Sequence, residues 1–378
     1  MPVSFDEEHR LLRETTRRFV EREILPEVEA WEEAGSFPRA LYSKAGAAGL
    51  LRLGFPEVDG GTGMDPLMLV VFTEEMMRCT SAGVVAGLGS LGIGLPPVVT
   101  WGSPELKARI VPPVLAGDKI MALAITEPGG GSDVANLRTR AERTEEGFRV
   151  TGNKTFITSG CRADYYTVAV RTGGEGYAGI SLLLMEAGMP GFHRSQPLKK
   201  MGWWASDTAE LSFDHVLVPF ENLIGPEHAG FYAIMSNFQM ERLSLAVMAN
   251  STAQMALEAC LAYVKEREAF GRSLNKFQVI RHKLVDMATQ VEVSRQYTYH
   301  VAELMKQGQA VVREVSMAKN FSTRVSDQVT HEAVQIFAGA GYMRGTLVER
   351  LYRDNRILSI GGGTYEIMNE VIAKQMNL

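Results

Sequence analysis

The spacing of apolar positions changes period twice along the chain. Phe5, Leu12 and Phe19 recur at heptad intervals behind Ser4-Phe-Asp-Glu7, a capping-box pattern that predicts a helix start. Residues 51–63 are glycine-rich and read as a loop, and helical patterns resume over residues 67–77 and Pro104–Leu115. The middle third switches to short β-branched and aromatic runs at 119–126, Phe148–Thr158, Tyr165–Arg171, 180–185 and 209–219. Turn residues such as Gly173-Gly174 and Met189-Pro-Gly191 separate them, so an antiparallel sheet or barrel is expected. From about Gly230 the pattern is helical to the end. Proline is absent after Pro226, which permits long helices with short connections, a bundle. The expected class is α+β, mainly α, in three domains: 1–118 helical, 119–226 β, 227–378 helical bundle.

Composition narrows this little but excludes much. The 378 residues are 46% hydrophobic, enough for a large core, and the net charge of −5 gives no footprint for nucleic acid. The basic residues from Arg13 to Arg22 alternate with acids and read as a solvated helix face. Cys79, Cys161 and Cys260 are scattered and odd in number, which argues against a disulfide framework or a zinc site, so no metal is expected. No secretory signal pattern is visible at the start. The most apolar run, 84–99, holds four glycines and two prolines and reads as core, not as a membrane span. A reducing soluble compartment, the cytoplasm, is the expectation.

The chemistry-bearing stretch is Ala122-Leu-Ala-Ile-Thr-Glu-Pro-Gly-Gly-Gly-Ser-Asp133. Three successive glycines forgo side-chain packing, which marks either a plain surface turn or a close backbone approach to a ligand. Freed N–H groups beside the Thr126 and Ser132 hydroxyls suit an anionic, hydrogen-bonding cofactor. Gly87-Leu-Gly-Ser-Leu-Gly92 matches a dinucleotide-binding pattern, but its surroundings read as helix with no βαβ unit.

The 122–133 stretch resembles the signature of acyl-CoA dehydrogenases, flavoproteins that desaturate acyl-CoA thioesters. Four further motifs resemble that family in the same order: Lys154-Thr-Phe-Ile-Thr-Ser-Gly160; Arg267-Glu-Ala-Phe-Gly-Arg-Ser-Leu274 with Phe277-Gln278; Gln335-Ile-Phe-Ala-Gly-Ala-Gly-Tyr342; and Gly361-Gly-Gly-Thr-Tyr-Glu-Ile367. The resemblance implies an N-terminal helical domain, a middle β-domain and a C-terminal four-helix bundle. It implies FAD, held by Thr126, Gly131, Ser132, Phe156, Ile157 and Thr158, with Phe156 standing where many relatives have tryptophan. Arg267 fits the pyrophosphate by forked hydrogen bonds. In the family this arginine, with the equivalents of Phe270, Gln278 and Gln335, enters a neighbouring subunit's flavin site, which implies a homo-oligomer, a tetramer built as a dimer of dimers. Gly339, Thr364 and Glu366 belong to the same cofactor set. Taken singly, Gln278, Gln335 and Glu366 also read as ordinary polar helix surface. The glycines at 87, 89, 92 and 94 fall near the family's acyl pocket and are expected to open space for a longer or branched tail.

Such a reaction needs a carboxylate to remove the α-proton while the β-hydride goes to flavin N5. Much of the family places that glutamate where this chain has Gly362. Glu241 is the alternative. It and Arg242 are the only Lys, Arg, Asp or Glu residues between Glu227 and Glu258, on an apolar helix where Phe238, Leu245 and Met248 share its face. An ionisable group there needs a partner or a function, so a structural ion pair is the competing reading. Phe238-Gln-Met-Glu-Arg-Leu243 resembles the context of the long-chain and isovaleryl-type members, which carry the base on this helix. By that resemblance Glu241 is the base, Ser132, Phe238 and Arg242 contact the substrate, and the Gly362 N–H, with a flavin ribityl hydroxyl, binds the thioester carbonyl. Electrons are expected to pass to an electron-transfer flavoprotein. An oxygen-using acyl-CoA oxidase or nitroalkane oxidase, and a non-catalytic flavin- or CoA-binding relative, are the alternatives. Trp203-Trp204 is expected at a surface or interface.

Overall fold

The computed structural model describes residues 5–378, apart from the side chains at 236 and 237. Helices come first: α1 (Glu7–Phe19), α2 (Val28–Ala34), α3 (Ala40–Ala47), α4 (Pro66–Met77), α5 (Ala82–Leu88), α6 (Leu91–Gly94), α7 (Pro96–Trp101) and α8 (Pro104–Leu115). Strands follow: β1 (Met121–Ala124), β2 (Arg140–Arg143), β3 (Phe148–Thr158), β4 (Tyr165–Arg171), β5 (Ile180–Glu186), β6 (Phe192–Arg194), β7 (Thr208–Val218) and β8 (Leu223–Ile224). The last third holds α9 (Gly230–Glu266), the hairpin β9 (Glu268–Ala269) and β10 (Arg272–Ser273), then α10 (Gln278–Lys306), α11 (Val312–Phe337), α12 (Gly339–Tyr342), α13 (Leu347–Asn355) and α14 (Tyr365–Gln375).

Local signals explain several boundaries. Asp65 caps α4 by accepting from the Met68 N–H at 2.8 Å, and Pro66 starts the helix where no N–H is needed. The expected cap on α1 shifts. Ser4 lies outside the described residues, and Asp6 is the cap, accepting from the His9 N–H at 3.2 Å. Of the heptad stripe only Phe19 is fully buried. The helix docks instead through charge. Arg13 and Arg17 both reach Glu75 on α4 at 2.9 Å, so part of the face read as solvated is an interhelical clamp, while Arg18 and Arg22 are exposed.

The eight-stranded sheet has the order β6-β7-β3-β2-β4-β5-β8, with β1 on β4. It is not wholly antiparallel: β1 and β2 both pair parallel with β4. β1 reaches β4 only after the chain has made the β2–β3 hairpin, the long crossover a parallel pair requires. β3 and β7 alternate buried and exposed residues, as expected of a half-solvated face. β4 and β5 are buried almost throughout, and one core runs from Phe19 through the sheet to Ile234 on α9. A second core joins α9, α10, α11 and α13 between Ala253 and Leu351. With α14 packed on α11, these long helices form the bundle. No single described helix is long and apolar enough to cross a membrane. The bent pair formed by Ala82–Leu88 and residues 91–101 passes by length and composition, but Val84, Leu88, Leu91, Leu95, Val98 and Val99 belong to the main core.

Candidate active site

α9 and the turn before α14 meet at the predicted base. A Cβ on Gly362 would lie 3.4 Å from Glu241 Oε1 and 2.5 Å from Leu245 Cδ1, one helical turn further along α9. Gly362 has φ +64, a left-handed conformation open to glycine. The two positions that sequence comparison treats as alternatives for the base are therefore neighbours in space. Burial raises the Glu241 carboxyl above its ordinary value, partly offset by Lys319 and Arg242, and no hydrogen bond from a described residue stabilises its charge. Among the described residues, the Gly362 N–H donates to no backbone carbonyl.

Lys319 escaped the sequence reading. It is fully buried on α11, and its Nζ donates to the Gly363 carbonyl at 2.5 Å. Burial pushes its ammonium down to about 8, against the pull of Glu241. Its neighbour Asn320 holds the start of α14 through the Tyr365 carbonyl and Asn369, each at 3.0 Å. Arg242, only 8% exposed, makes no ion pair among the described residues and leaves its Nε unpartnered, so the structural ion-pair reading finds no support. Its guanidinium carbon lies 5.7 Å from the Phe238 ring.

The glycine-rich loop forms a second part of the site. The Thr155 N–H donates to the Thr126 carbonyl at 2.9 Å, which joins the loop to β3. A Cβ on Gly131 would meet Thr126 Cγ2 at 3.2 Å, while Gly129 and Gly130 face open space. Glu127 organises the turn: it accepts from the Arg138 and Thr139 N–H groups at 2.6 and 2.9 Å and pairs with buried Lys154 at 2.8 Å. A register shift in the β3–β7 pairing falls between Lys154 and Ile157. There Phe156 takes φ +60 and is 69% exposed, and Thr158 is half-buried. Ile157 departs from expectation. Its side chain turns into the main core at 3% exposure, so only its backbone is offered to a ligand. The exposed Ser132 hydroxyl, the half-buried hydroxyls of Thr126 and Thr158 and an apolar ring around a cradle without side chains fit the polar and ring portions of FAD.

Arg267, Phe270, Gln278, Gln335 and Gly339 lie at the other end of the bundle, while Thr364 and Glu366 follow the Gly362-Gly363 turn beside Glu241. The Arg267 N–H closes α9 on the Tyr263 carbonyl at 2.9 Å, and the Tyr263 ring stacks on Phe337 at 4.0 Å. That contact groups Arg267 with the Gln335–Gly339 segment. Phe270 is 96% exposed at φ +51, and Gln278, Gln335 and Gly339 are exposed. Twenty-six residues of α9 separate Glu241 from Arg267, about 39 Å at 1.5 Å per residue. Thr364 caps α14 by accepting from the Ile367 N–H at 3.3 Å, and Glu366 is exposed in that helix's first turn. Ser132 is exposed and Phe238 half-buried.

Two expectations around the acyl pocket change. The glycines of α5 and α6 are mostly close-packing sites. A Cβ at Gly83 would meet the Trp203 backbone at 2.9 Å, at Gly87 the Phe37 ring at 2.6 Å, and at Gly94 the Ala122 backbone at 3.0 Å; of the four expected to open space, only at Gly92 would a Cβ meet no described atom within 4 Å. The dinucleotide-like pattern lies on a helix end, not after a strand. Nor is Trp203-Trp204 plain surface. Trp203 packs with Ala82, Leu245 and Met248, and Trp204 lies between the guanidinium groups of Arg353 and Arg344, at 3.6 and 4.1 Å. Beneath them, Arg353 pairs with Glu32 at 2.7 Å and Asp354 accepts from the Trp203 N–H at 2.7 Å.

Comparison with known proteins agrees with this arrangement. Family models match in chain order: acyl-CoA dehydrogenase N-terminal domain over residues 6–118, middle domain over 122–216 and C-terminal domain over 228–377. The long-chain specific acyl-CoA dehydrogenase of Mus musculus mitochondria is 38% identical over 375 residues, covering 98% of this chain and 87% of that protein. An acyl-CoA dehydrogenase of Bacillus subtilis is 37% identical, covering 98% of each. The crystal structure of a probable acyl-CoA dehydrogenase from Mycobacterium abscessus superimposes with a TM-score of 0.96 at 53% identity, covering 98% of this chain and 99% of that one. Motifs, architecture and full-length similarity together place this chain in the acyl-CoA dehydrogenase family.

Proposed function

We propose that the chain converts an acyl-CoA thioester to its trans-2-enoyl form, with Glu241 taking the α-proton. The observation that carries this is the meeting of Glu241 with Gly362: the carboxylate lies 3.4 Å from where a Cβ at 362 would stand, and the Gly362 N–H donates to no backbone carbonyl among the described residues. FAD, the cofactor of this family, accepts the β-hydride when bound. Thr126, Ser132, Thr158 and the exposed face of Phe156 would hold it, and Arg242, whose buried Nε has no hydrogen-bond partner among the described residues, would meet the CoA portion. The Gly362 N–H supports the thioester carbonyl as charge builds there. Desolvation keeps Glu241 basic enough to work near neutral pH.

The second cofactor set, about 39 Å along α9 from Glu241, supports a homo-oligomer in which Arg267, Phe270, Gln278 and Gln335 complete a neighbour's site. An electron-transfer flavoprotein is the proposed acceptor, and the three units 1–118, 119–226 and 227–378 the proposed domains. The test is anaerobic mixing of Glu241→Gln with acyl-CoA. Flavin absorbance should be intact and bleaching slowed by about 10³-fold, within the range for losing a general base. Bleaching at the wild-type rate would reject the assignment.

A further inference from the structure

We propose that Lys319 is a positioning residue for this reaction: its buried ammonium anchors the turn that presents the Gly362 N–H and supplies the fixed positive charge beside which Glu241 ionises. The inference rests on the reading of Glu241 as the base.

Two independent placements support it. First, the only described acceptor of the Lys319 ammonium is the Gly363 carbonyl, so the tie is made at the residue after Gly362. The turn carries two successive left-handed glycines, Gly362 at φ +64 and Gly363 at φ +100. Glycines so placed do not hold their own conformation, because many alternatives are open to them. The α11 side chain supplies the constraint the turn lacks. Second, the charge is fully desolvated, which is costly unless a nearby anion compensates. Of the titratable groups on the elements packed around it, Glu241 is the one that favours its charge, while Arg242 opposes it. Reciprocally, Lys319 on α11 and Arg242 on α9 itself are the groups that act on Glu241. No ion pair within 4 Å joins Lys319 to Glu241 among the described residues. The lysine therefore acts at a distance and through the turn, leaving the carboxylate free to accept a proton.

A wholly structural lysine would stabilise the fold without touching the titration of Glu241, and this separates the two roles. Lys319→Met removes the charge and the tie; Lys319→Gln keeps a donor for the Gly363 carbonyl and removes only the charge. The carboxyl stretch of Glu241 is followed by infrared difference titration of the FAD-loaded protein without substrate, assigned by its loss in Glu241→Gln. In both variants this titration should move up by about one pH unit, as for a carboxyl losing a nearby cation. The rising limb of kcat/KM should move with it, a loss of about tenfold at pH values below the limb. Lys319→Gln should recover the KM for acyl-CoA that Lys319→Met loses. An unmoved Glu241 titration in both variants overturns the proposal. If Lys319→Met does not fold, the Gln variant decides by the same titration. Normal bleaching by Glu241→Gln overturns the base reading separately, since the infrared titration reports on Lys319 without turnover.

Discussion

At the junction of α2, α13 and the loop before β7, Glu32, Arg353 and Asp354 bury their charges against one another. Glu32 accepts from Ser81 at 2.6 Å and from Arg353 at 2.7 Å, and Arg353 also reaches Glu349 at 3.0 Å and Asp354 at 3.2 Å. Arg242 is buried and Glu241 half-buried too, yet neither forms an ion pair among the described residues, and α11 sends its lysine to a carbonyl instead. The junction uses its charges to hold helix α2, the tryptophan loop and the bundle together. The proposed site leaves its carboxylate without an ion pair among the described residues, as a base that must accept a proton requires. Buried polar groups left without partners cost stability, and such a cost persists where it is part of the mechanism.

Substitution tests this contrast at both places. Glu241→Gln should lose about 10³-fold in flavin reduction while its melting temperature stays level or rises, because an unpaired carboxyl is replaced by a neutral one of equal shape. Arg353→Met should do the reverse. Stranding Glu32 should cost about 3–5 kcal/mol in urea unfolding, while the folded fraction bleaches at the normal rate. If Glu241→Gln proved as destabilising as Arg353→Met, the distinction between the two clusters would collapse.

A pH series sharpens the junction side. Burial and the nearby Glu32 push the Asp354 carboxyl up to about 7 from an ordinary 3.8. Between those values the native state keeps a proton that the unfolded chain has released. Its contribution to stability is thus complete below pH 3.8 and is lost as pH rises through 7. Asp354→Asn removes that dependence, so across this interval it should gain about 4 kcal/mol relative to the parent in chemical denaturation. On the site side, Gly362→Ala combines a left-handed φ with a Cβ 2.5 Å from Leu245 Cδ1. It should cost about 1–2 kcal/mol in thermal unfolding, and Leu245→Ala should relieve the clash but leave the backbone strain.

What the sequence discloses follows from how local each signal is. Pro66 and Pro104 behind Asp65 and Ser103 mark two helix starts to within a residue, and β3 and β4 match their expected limits. Glu241 is legible because one carboxylate in a long apolar helix stands out without knowledge of its partners. Lys319 is not, since α11 is rich in polar residues and only the fold shows that this one is enclosed against a turn 44 residues away. Gly87 misleads for the same reason: Phe37, which takes the space it vacates, arrives from a distant segment. β2, four residues of which three are exposed, carries no apolar run to announce it.

The single helix α9 bears Glu241, the proposed proton acceptor, in its first third, and Arg267, the proposed phosphate-binding arginine, closes its far end. If each cavity borrows its arginine from another copy, two dead variants can mend one another. Subunits with Glu241→Gln and subunits with Arg267→Ala, co-assembled, would form mixed pairs in which one of the two cavities inherits both intact parts. Such rescue depends on how the chains associate, so this enzyme's cofactor occupancy would follow its concentration as well as that of FAD.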